Sequence, residues 1–473
     1  MKTTLKIGNC YSQLLSDNLG LLKILHENMR FREKNYFHSR LYKQKLWDGY
    51  TDFFSKKTGK FLTGLLPEVL AALDHIEEPY DTFDQRQEFD FNFKEIDENF
   101  LSQFATPGSE DENMSLYDYQ VDLTNSLLKY KRGVICAPTA AGKTNIMISI
   151  LKAIPENCPT LILANKTSLV QQNYEEMMKW GFTNVGRLYG KYKDPDVFTC
   201  STVQSLHKIE PLLGKIKVLI VDEIHENMSK QPKKFINKMK SCSVRAAVSA
   251  TPFKFGGKDH CQKWLVKGYF GPVLKSKSIG GVLTTKHLQE RGTLSKAKCI
   301  FHPVREPELK HEIYLDAVTR GIAENWEFHK TVTKIAGKLK GRTLILVDRI
   351  AHGDALASML PDALWVQGKD NLETRKNVIE KLKTSKDKII GISTQQIFNT
   401  GINVKIHNLI NAAGGQADHQ IIQRVGRGLR TADDKDILNY YDFVFHNNEY
   451  LKTHSLKRIK ILKKEGHEVI IKD

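Results

Sequence analysis

Short apolar runs, rich in β-branched residues, alternate with helix-like patterns along the chain from residue 114 onward. Alternation of this kind is typical of parallel sheets whose strands are joined by crossover helices. The runs fall into two groups, so the pattern predicts an α/β protein with two parallel-sheet lobes. The predicted strands are 133–137, 160–164, 197–201, 218–222 and 246–249 in the first lobe, and 343–347, 363–366, 389–393, 409–412 and 440–445 in the second.

Charge is unevenly distributed and helps to divide the chain. The formal net charge is +7 for residues 1–66, −12 for 67–113 and +22 for the remainder, and the polar run 106–113 predicts a linker. We predict a small α+β N-terminal accessory domain at 1–110, a first lobe at 114–300 and a second lobe at 301–473 that ends in a basic helix. A helical stretch at 311–340 is the expected connection between the lobes.

Composition narrows the function classes. No run of about 18 apolar residues could span a bilayer, and the first residues lack a signal-peptide pattern, which predicts a cytoplasmic protein without a membrane partner. Seven scattered cysteines without a Cys-x-x-Cys pair predict reduced thiols. The net charge of +17 favours a polyphosphate partner, although a basic surface can also serve solubility alone.

A loop of the form Ala-x-x-x-x-Gly-Lys-Thr follows the first predicted strand at 137–144. In a strand–loop–helix of the form Ala-x-x-x-x-Gly-Lys-Thr, backbone N–H groups and the helix N-terminus surround phosphate oxygens. Lys143 would reach the β- and γ-phosphates and the Thr144 hydroxyl would bind Mg²⁺. The sequence therefore predicts an ATP site whose loop residues are Ala140, Ala141, Gly142, Lys143 and Thr144; Ala137 stands where the strict pattern has glycine.

Two adjacent carboxylates end the fourth predicted strand. At the carboxyl end of a buried parallel strand they would lie beside the phosphate loop. Asp222 is the candidate Mg²⁺ ligand, and Glu223 the candidate group that polarises the attacking water. A helix cap is the alternative reading of the pair. Hydroxyls of Ser249 and Thr251, after the next strand, can hydrogen-bond to the segment ending at His225 and relay its state.

The most informative segment of the second lobe is 423–430. On a helix, Arg427 and Arg430 share one face, from which guanidinium groups can neutralise charge developing on a γ-phosphate. Gln423 precedes them as a coupling candidate, and a basic helix face for DNA is the alternative. Weaker polar patterns at predicted strand ends are candidates for a nucleic-acid track: Asn165, Lys166, Thr202, Gln204, Thr394, Thr400 and Gly401.

Taken in order, the motifs from 117 to 430 resemble those of superfamily 2 helicases of the Asp-Glu-x-His kind. The chain also resembles UvsW-like phage helicases at 31–32, 47–49, 270–272 and the basic helix near 450–464. The resemblance implies two tandem RecA-like lobes, with Gln120 reading the adenine edge. It further implies ATP-driven translocation on DNA, unwinding or annealing of forks and branch migration of four-way junctions, in a host cytoplasm if the protein is phage-encoded.

The role of the N-terminal region and the choice of nucleic acid stay open at this level. Basic and aromatic residues interleave at 30–47, and they could grip a duplex, stack on a base at a fork, or simply form a small folded domain. We expect branched or forked DNA as the partner, with single-stranded DNA as a further candidate. An RNA helicase is the second enzyme reading, and a non-catalytic nucleic-acid-binding protein is the contrasting class.

Overall fold

The computed structural model describes residues 3–86, 93–109, 111–224, 230–253, 260–309, 313–370, 372–385, 387–395, 397, 406–415, 421, 425–426, 428–429 and 437–473. The chain divides into two compact units, one of residues 1–137 and 142–283, the other of 138–141 and 284–473. Within the described ranges, no helix has the length and apolar content needed to cross a membrane. All seven cysteines are free thiols.

The first unit begins with a four-stranded sheet in the order β5-β2-β1-β6, beside a separate antiparallel pair, β3 and β4. β1 and β6 run parallel, and the other neighbours are antiparallel. Asn18 caps α1 by accepting the N–H of Leu21 at 3.0 Å. The elements are β1 Thr3–Ile7, β2 Tyr11–Leu15, α1 Leu19–Asn28, β3 Arg30–Arg32, α2 Arg40–Lys43, β4 Tyr50–Asp52, β5 Lys60–Leu62, α3 Leu66–His75 and β6 Tyr80–Asp84.

A seven-stranded sheet follows, in the order β10-β9-β11-β8-β12-β13-β7. Its strands are parallel except for β10, which pairs antiparallel with β9. β8, β11 and β12 are buried at every position, as parallel strands covered on both faces require. The elements are α4 Asp118–Tyr130, β7 Arg132–Cys136, α5 Lys143–Ala153, β8 Thr160–Ala164, α6 Thr167–Lys179, β9 Val185–Tyr189, β10 Tyr192–Asp194, β11 Phe198–Thr202, β12 Val218–Asp222, α7 Lys230–Ile236, β13 Val244–Ser249 and α8 His260–Phe270.

One hydrophobic core joins the N-terminal sheet to the first seven-stranded sheet. The Phe31 ring lies against Trp264 of α8, with centroids 5.0 Å apart, and Lys267 of α8 forms an ion pair with Glu68 of α3 at 2.8 Å. Gly64 packs so closely on α8 that a Cβ there would collide with the Lys267 carbonyl oxygen. The N-terminal residues are therefore fixed to the first lobe by buried apolar contacts.

The second unit is built on another seven-stranded sheet, in the order β16-β17-β15-β18-β19-β14-β20, with every described pairing parallel. Apart from residues 138–141, this unit begins at residue 284, and β14 belongs to its sheet. The elements are α9 Thr285–Glu290, β14 Lys296–Val304, α10 Tyr314–Val318, α11 Trp326–Lys338, β15 Arg342–Val347, α12 Ile350–Met359, β16 Leu364–Val366, α13 Leu372–Thr384, β17 Ile389–Thr394, β18 Asn408–Asn411, β19 Ile437–Phe445, α14 Glu449–Lys464 and β20 Glu468–Ile471.

A buried ion pair anchors the C-terminal helix α14 to this sheet. Arg458 is 1% exposed and donates to both carboxylate oxygens of Asp442 at 2.9 Å, while Asn411 and the Tyr440 hydroxyl also donate to Asp442. A fully hydrogen-bonded buried pair of this kind fixes one geometry. Part of the basic character predicted for this helix is therefore structural.

The predicted α/β class with parallel sheets is confirmed, and all ten predicted strands are present with ends shifted by at most three residues. The pattern did not indicate β9, β10, β14 and β20. It also gave no sign that α3 and β6, in the acidic segment, complete the N-terminal sheet.

Candidate ATP site and nucleic-acid track

Three neighbouring strands bring the predicted ATP-site residues to one edge of the first lobe. β13 lies between β12 and β7, with Asp222 in register with Val248, and Ser249 in register with Cys136. Because the strands are parallel, their carboxyl ends meet at the same edge, where ligands bind in sheets of this type. The end of β12, the end of β13 and the loop after β7 are therefore adjacent.

The phosphate loop has the backbone geometry of an anion cradle. Gly142 caps α5 in a left-handed conformation, with φ of +73°, and its carbonyl oxygen accepts the N–H of Ile146 at 3.2 Å. Ala140 also has a positive φ, +67°, which costs a residue with a Cβ about 1 kcal/mol. The Ala141 N–H donates to Pro138 at 3.0 Å, which closes the turn. N–H groups in the first turn of α5 have no intrahelical acceptor and favour an anion.

Gln120 lies directly against this loop. It is 1% exposed, and its Oε1 accepts the N–H of Tyr117 at 3.0 Å at the start of α4. A Cβ built on Gly142 would collide with the Gln120 Nε2 atom. The residue expected to read adenine therefore also requires glycine at the end of the phosphate loop.

Lys143 and the two carboxylates form a mostly buried charged cluster. The Lys143 ammonium forms an ion pair with Glu223 and lies 4.0 Å from Asp222, and the three side chains are 20%, 14% and 12% exposed. The ion pair compensates the free-energy cost of burying the charges of Lys143 and Glu223, which would be high for either charge alone. Phosphate entering the loop would compete with Glu223 for the Lys143 ammonium, which would release the carboxylate.

Ser249 fixes the other oxygen of Glu223. Its hydroxyl donates to Glu223 Oε2 at 2.9 Å and accepts the Thr251 N–H at 3.1 Å, while the Glu223 N–H donates to Asp222 at 3.0 Å. Glu223 itself has a positive φ of +48°, so local backbone preference does not favour its position. The Thr251 hydroxyl is buried and has no hydrogen-bond partner within the described part of the chain.

The oxygen donors at this edge fit a magnesium ion. Asp222 offers a carboxylate that is 12% exposed, and Thr144 is the second residue of α5 beside the loop. Mg²⁺ prefers hard oxygen ligands and takes few of them from the protein when nucleotide phosphates supply the others. His225, the remaining predicted residue of this segment, lies outside the described residues.

The predicted track residues of the first lobe share the same edge as the ATP site. Asn165 follows β8, and Lys166 is the residue before α6. Thr202 ends β11 beside β8, but it is 4% exposed and its hydroxyl donates to Ser205 at 3.0 Å, so that hydroxyl faces inward. Gln204 follows it and is exposed.

Fewer of the predicted residues in the second lobe can be located. Thr394 ends β17 and is 7% exposed. In the segment of the predicted arginines, Leu429 donates its N–H to the Val425 carbonyl oxygen at 3.1 Å in helical geometry, and its own carbonyl oxygen accepts the N–H of Ser295 at 2.8 Å. Five predicted residues lie outside the described residues: Gln423, Arg427, Arg430, Thr400 and Gly401.

Three features of the site have no signal in the sequence. The Lys143–Glu223 ion pair joins residues 80 positions apart, and the contact of Gln120 with Gly142 depends on how α4 packs beside α5. Motif order indicates that such residues belong to one site but not which atoms meet. The left-handed backbone of Ala140 is equally hidden, because alanine gives no sequence cue for a positive φ.

The chain is similar in sequence to several known proteins. Residues 113–254 match the family "Type III restriction enzyme, res subunit". The "DNA 3'-5' translocase XPB2" of Sulfurisphaera tokodaii is 24% identical over 73% of this chain and 85% of its own length. The "ATP-dependent DNA helicase uvsW" of Enterobacteria phage T4 is 24% identical over 69% of this chain and 68% of its own.

Among solved structures, a fragment of a putative HsdR subunit of a type I restriction enzyme from Vibrio vulnificus has a similar fold. Its TM-score is 0.55, with 16% identity over 81% of this chain and 72% of that chain. The likeness supports two RecA-like lobes. With the relatives and the family match, it confirms the resemblance to superfamily 2 helicases that the ordered motifs indicate, and it supports ATP-driven helicase activity.

Proposed function

We propose that the chain is a DNA helicase or translocase that unwinds and remodels branched DNA, including fork regression and branch migration, during phage recombination, replication or repair. The relatives named as a DNA translocase and a DNA helicase support this choice over an RNA helicase or a non-catalytic binding protein. The net charge of +22 on residues 114–473 favours electrostatic attraction of DNA phosphates. Its working location would be the host cytoplasm.

The observation that carries the proposal is the cluster of Lys143, Glu223 and Ser249. On ATP binding, Lys143 would transfer from Glu223 to the β- and γ-phosphates. Glu223, still held by Ser249, would then orient the attacking water and accept its proton. Asp222 and Thr144 would hold Mg²⁺, which supplies charge neutralisation on the phosphates.

The remaining predicted residues complete this scheme as proposals. Arg427 and Arg430 would neutralise charge on the transferred phosphoryl group, while Gln423 and His225 would couple nucleotide state to strand contacts. The track would use Asn165, Lys166 and Gln204 in the first lobe, and Thr394, Thr400 and Gly401 in the second. Thr202 would act through the backbone or after a change in its hydrogen bond to Ser205.

An aromatic and basic insertion between β3 and β4 supports a DNA-recruiting role for residues 1–110. Phe37, Leu41 and Leu46 are 50%, 54% and 74% exposed, beside a shallow cavity of about 890 Å³ whose lining includes Lys43 and Lys45. Exposed rings and aliphatic groups next to cations suit an unpaired base and its phosphate. Phe31 and Trp47, in contrast, have structural contacts.

Steady-state ATP hydrolysis with different nucleic acids tests the proposed function. The purified chain with Mg²⁺ would be compared without nucleic acid and with single-stranded DNA, duplex, a fork, a four-way junction and RNA. The proposal predicts the strongest stimulation by the fork and the junction. Stimulation by RNA alone, or hydrolysis that no nucleic acid changes, would contradict it.

The insertion is tested by a double substitution, Phe37→Ala with Leu46→Ala. We expect weaker fork unwinding with unchanged basal ATP hydrolysis, because both side chains are exposed and lie in the insertion between β3 and β4, outside the ATP site. Leu19→Ala with Leu212→Ala is the control, since both leucines are exposed elsewhere in the same unit. Equal unwinding by the two variants would exclude base stacking by the insertion.

A further inference from the structure

A small basic cavity lies at the amino edge of the first seven-stranded sheet, the edge opposite the ATP site. Arg132 is the first residue of β7, and the phosphate loop follows the other end of the same strand. Five residues of strand span roughly 15 Å. The cavity has a volume of about 290 Å³, and its lining comes from both the N-terminal sheet and the first lobe: Asn9, Asp84, Arg86, Lys129, Tyr130, Lys131, Arg132 and Ser243.

The lining carries four basic side chains and one carboxylate. Asp84 forms an ion pair with Arg86, and that hydrogen-bonded contact keeps the pKa of Asp84 below its usual value even though partial burial opposes the shift. Lys129 is exposed, and Lys131 is half-buried. Once Asp84 and Arg86 neutralise each other, three positive charges face the cavity.

Arg132 is built into the wall and is not a mobile surface group. It is 8% exposed, and its guanidinium donates to two main-chain oxygens, those of Asn9 and Tyr269. Carbonyl oxygens hold the group in place but do not cancel its charge. Burial, followed by the charge of Arg245, lowers the pKa of Arg132 to about 9, which reflects the free-energy cost of keeping it ionised there.

Arg245 adds a second buried charge behind the first. It is in register with Arg132 across β13 and β7, is 1% exposed, and donates to the Met239 carbonyl oxygen and the Cys10 sulfur, each at 3.0 Å. Within the described ranges, no carboxylate forms an ion pair with either arginine. Two adjacent buried guanidinium groups that form no ion pair with any described carboxylate favour an anion nearby.

We propose that this cavity binds a phosphate group of the nucleic-acid backbone, as a second contact separate from the track at the carboxyl edge. A planar guanidinium and flexible ammonium groups are the donors that recognise phosphate oxygens. The inference rests on the proposed function, because it assumes a DNA substrate. A strand crossing the carboxyl edge does not also occupy a cavity at the amino edge, so the occupant would be another arm of a branched substrate.

A double variant, Lys129→Gln with Lys131→Asn, tests the site without disturbing the buried arginines. Asparagine tolerates the left-handed backbone of Lys131, whose φ is +59°. The matched control is Lys23→Gln with Lys286→Gln. Both control lysines are exposed on helices and lie near a glutamate four residues later, so the same charge is lost elsewhere.

Binding would be measured by fluorescence anisotropy across a salt series, with a four-way junction and with a short single-stranded oligonucleotide. We expect the variant to bind the junction about 5- to 10-fold more weakly and to lower the slope of log affinity against log salt by about one. The variant should bind the short oligonucleotide with the same affinity as the wild type, and its basal ATP hydrolysis should be unchanged. Equal junction binding by variant and control would overturn the proposal.

Adding inorganic phosphate distinguishes between two possible ligands of the cavity, a phosphate of the nucleic-acid backbone and free phosphate. If millimolar phosphate raises the Tm of the wild type but not of the variant, while junction binding is the same in both, the cavity serves a free phosphate and the nucleic-acid assignment is wrong. Failure of the proposed function itself would look different. In that case the wild-type protein would bind no junction and show no DNA-stimulated hydrolysis, whatever the variant does.

Discussion

Replacing Ser249 by alanine removes a single hydroxyl that fixes the proposed hydrolytic carboxylate. The hydroxyl donates to Glu223 Oε2 at 2.9 Å and accepts the Thr251 N–H at 3.1 Å. A hydrogen bond to a charged group is worth about 1.5–3 kcal/mol. If that energy holds Glu223 in its reactive orientation, kcat for ATP falls roughly 10- to 150-fold, because each 1.36 kcal/mol changes a rate tenfold.

The effect should fall on turnover and not on folding or ATP affinity, because Lys143 keeps its own contact with Glu223. Ser201→Ala is the matched control, since Ser201 is a buried serine near the end of β11 whose hydroxyl donates only to main-chain oxygens. Steady-state kinetics give kcat and KM, and thermal unfolding gives stability. A Ser249→Ala enzyme with wild-type kcat, or one impaired no more than Ser201→Ala, would refute the positioning role.

Three further predictions follow from the structure. Lys143→Ala should abolish ATP hydrolysis and leave DNA binding, measured by anisotropy, largely intact, because the Lys143 ammonium lies beside Glu223 at the proposed phosphate site. Persistent ATP turnover by this variant would exclude that role. Gly142→Ala should lower kcat/KM for ATP at least tenfold, because Gly142 has a positive φ and a Cβ there would collide with Gln120. Gly214→Ala is the control and should leave kcat/KM unchanged, because no atom lies close to the position of its Cβ. The contribution of His352 to the free energy of unfolding should fall by about 2 kcal/mol from pH 7.5 to 5, since burial lowers its pKa to about 3 and the unfolded state takes up the proton first. His352→Leu should remove that part of the pH dependence in denaturant titrations.

The sequence predicted best where local pattern and tertiary environment agree. β8 and β12 have the predicted bounds because each is a nearly continuous apolar run, as expected for a strand covered on both faces. β14 was missed because its lysines alternate with apolar residues, which made it look like part of a basic stretch. β6 was missed because most of its side chains are exposed, and only its pairing with β1 identifies it as a strand.

In the candidate site too, local sequence pattern predicts which residues take part but not how distant segments pack. Loop, carboxylate and serine motifs could be assigned from residue type and order, because each follows a predicted strand at the edge where parallel sheets bind ligands. The inward hydroxyl of Thr202 and the buried pair of Arg132 and Arg245 depend on packing between distant segments. Charge counting along the chain indicated a basic lobe but not a basic cavity.

The role of Glu223 is tested by comparing DNA-stimulated ATP hydrolysis by the wild type and by Glu223→Gln, with a four-way junction and Mg²⁺. We expect strong stimulation of the wild type and a loss of turnover of at least 100-fold, about 2.7 kcal/mol, in a variant that still binds ATP and junction. Junction-stimulated hydrolysis by Glu223→Gln at the wild-type rate would contradict the central claim that this carboxylate, paired with Lys143 and held by Ser249, performs the chemistry.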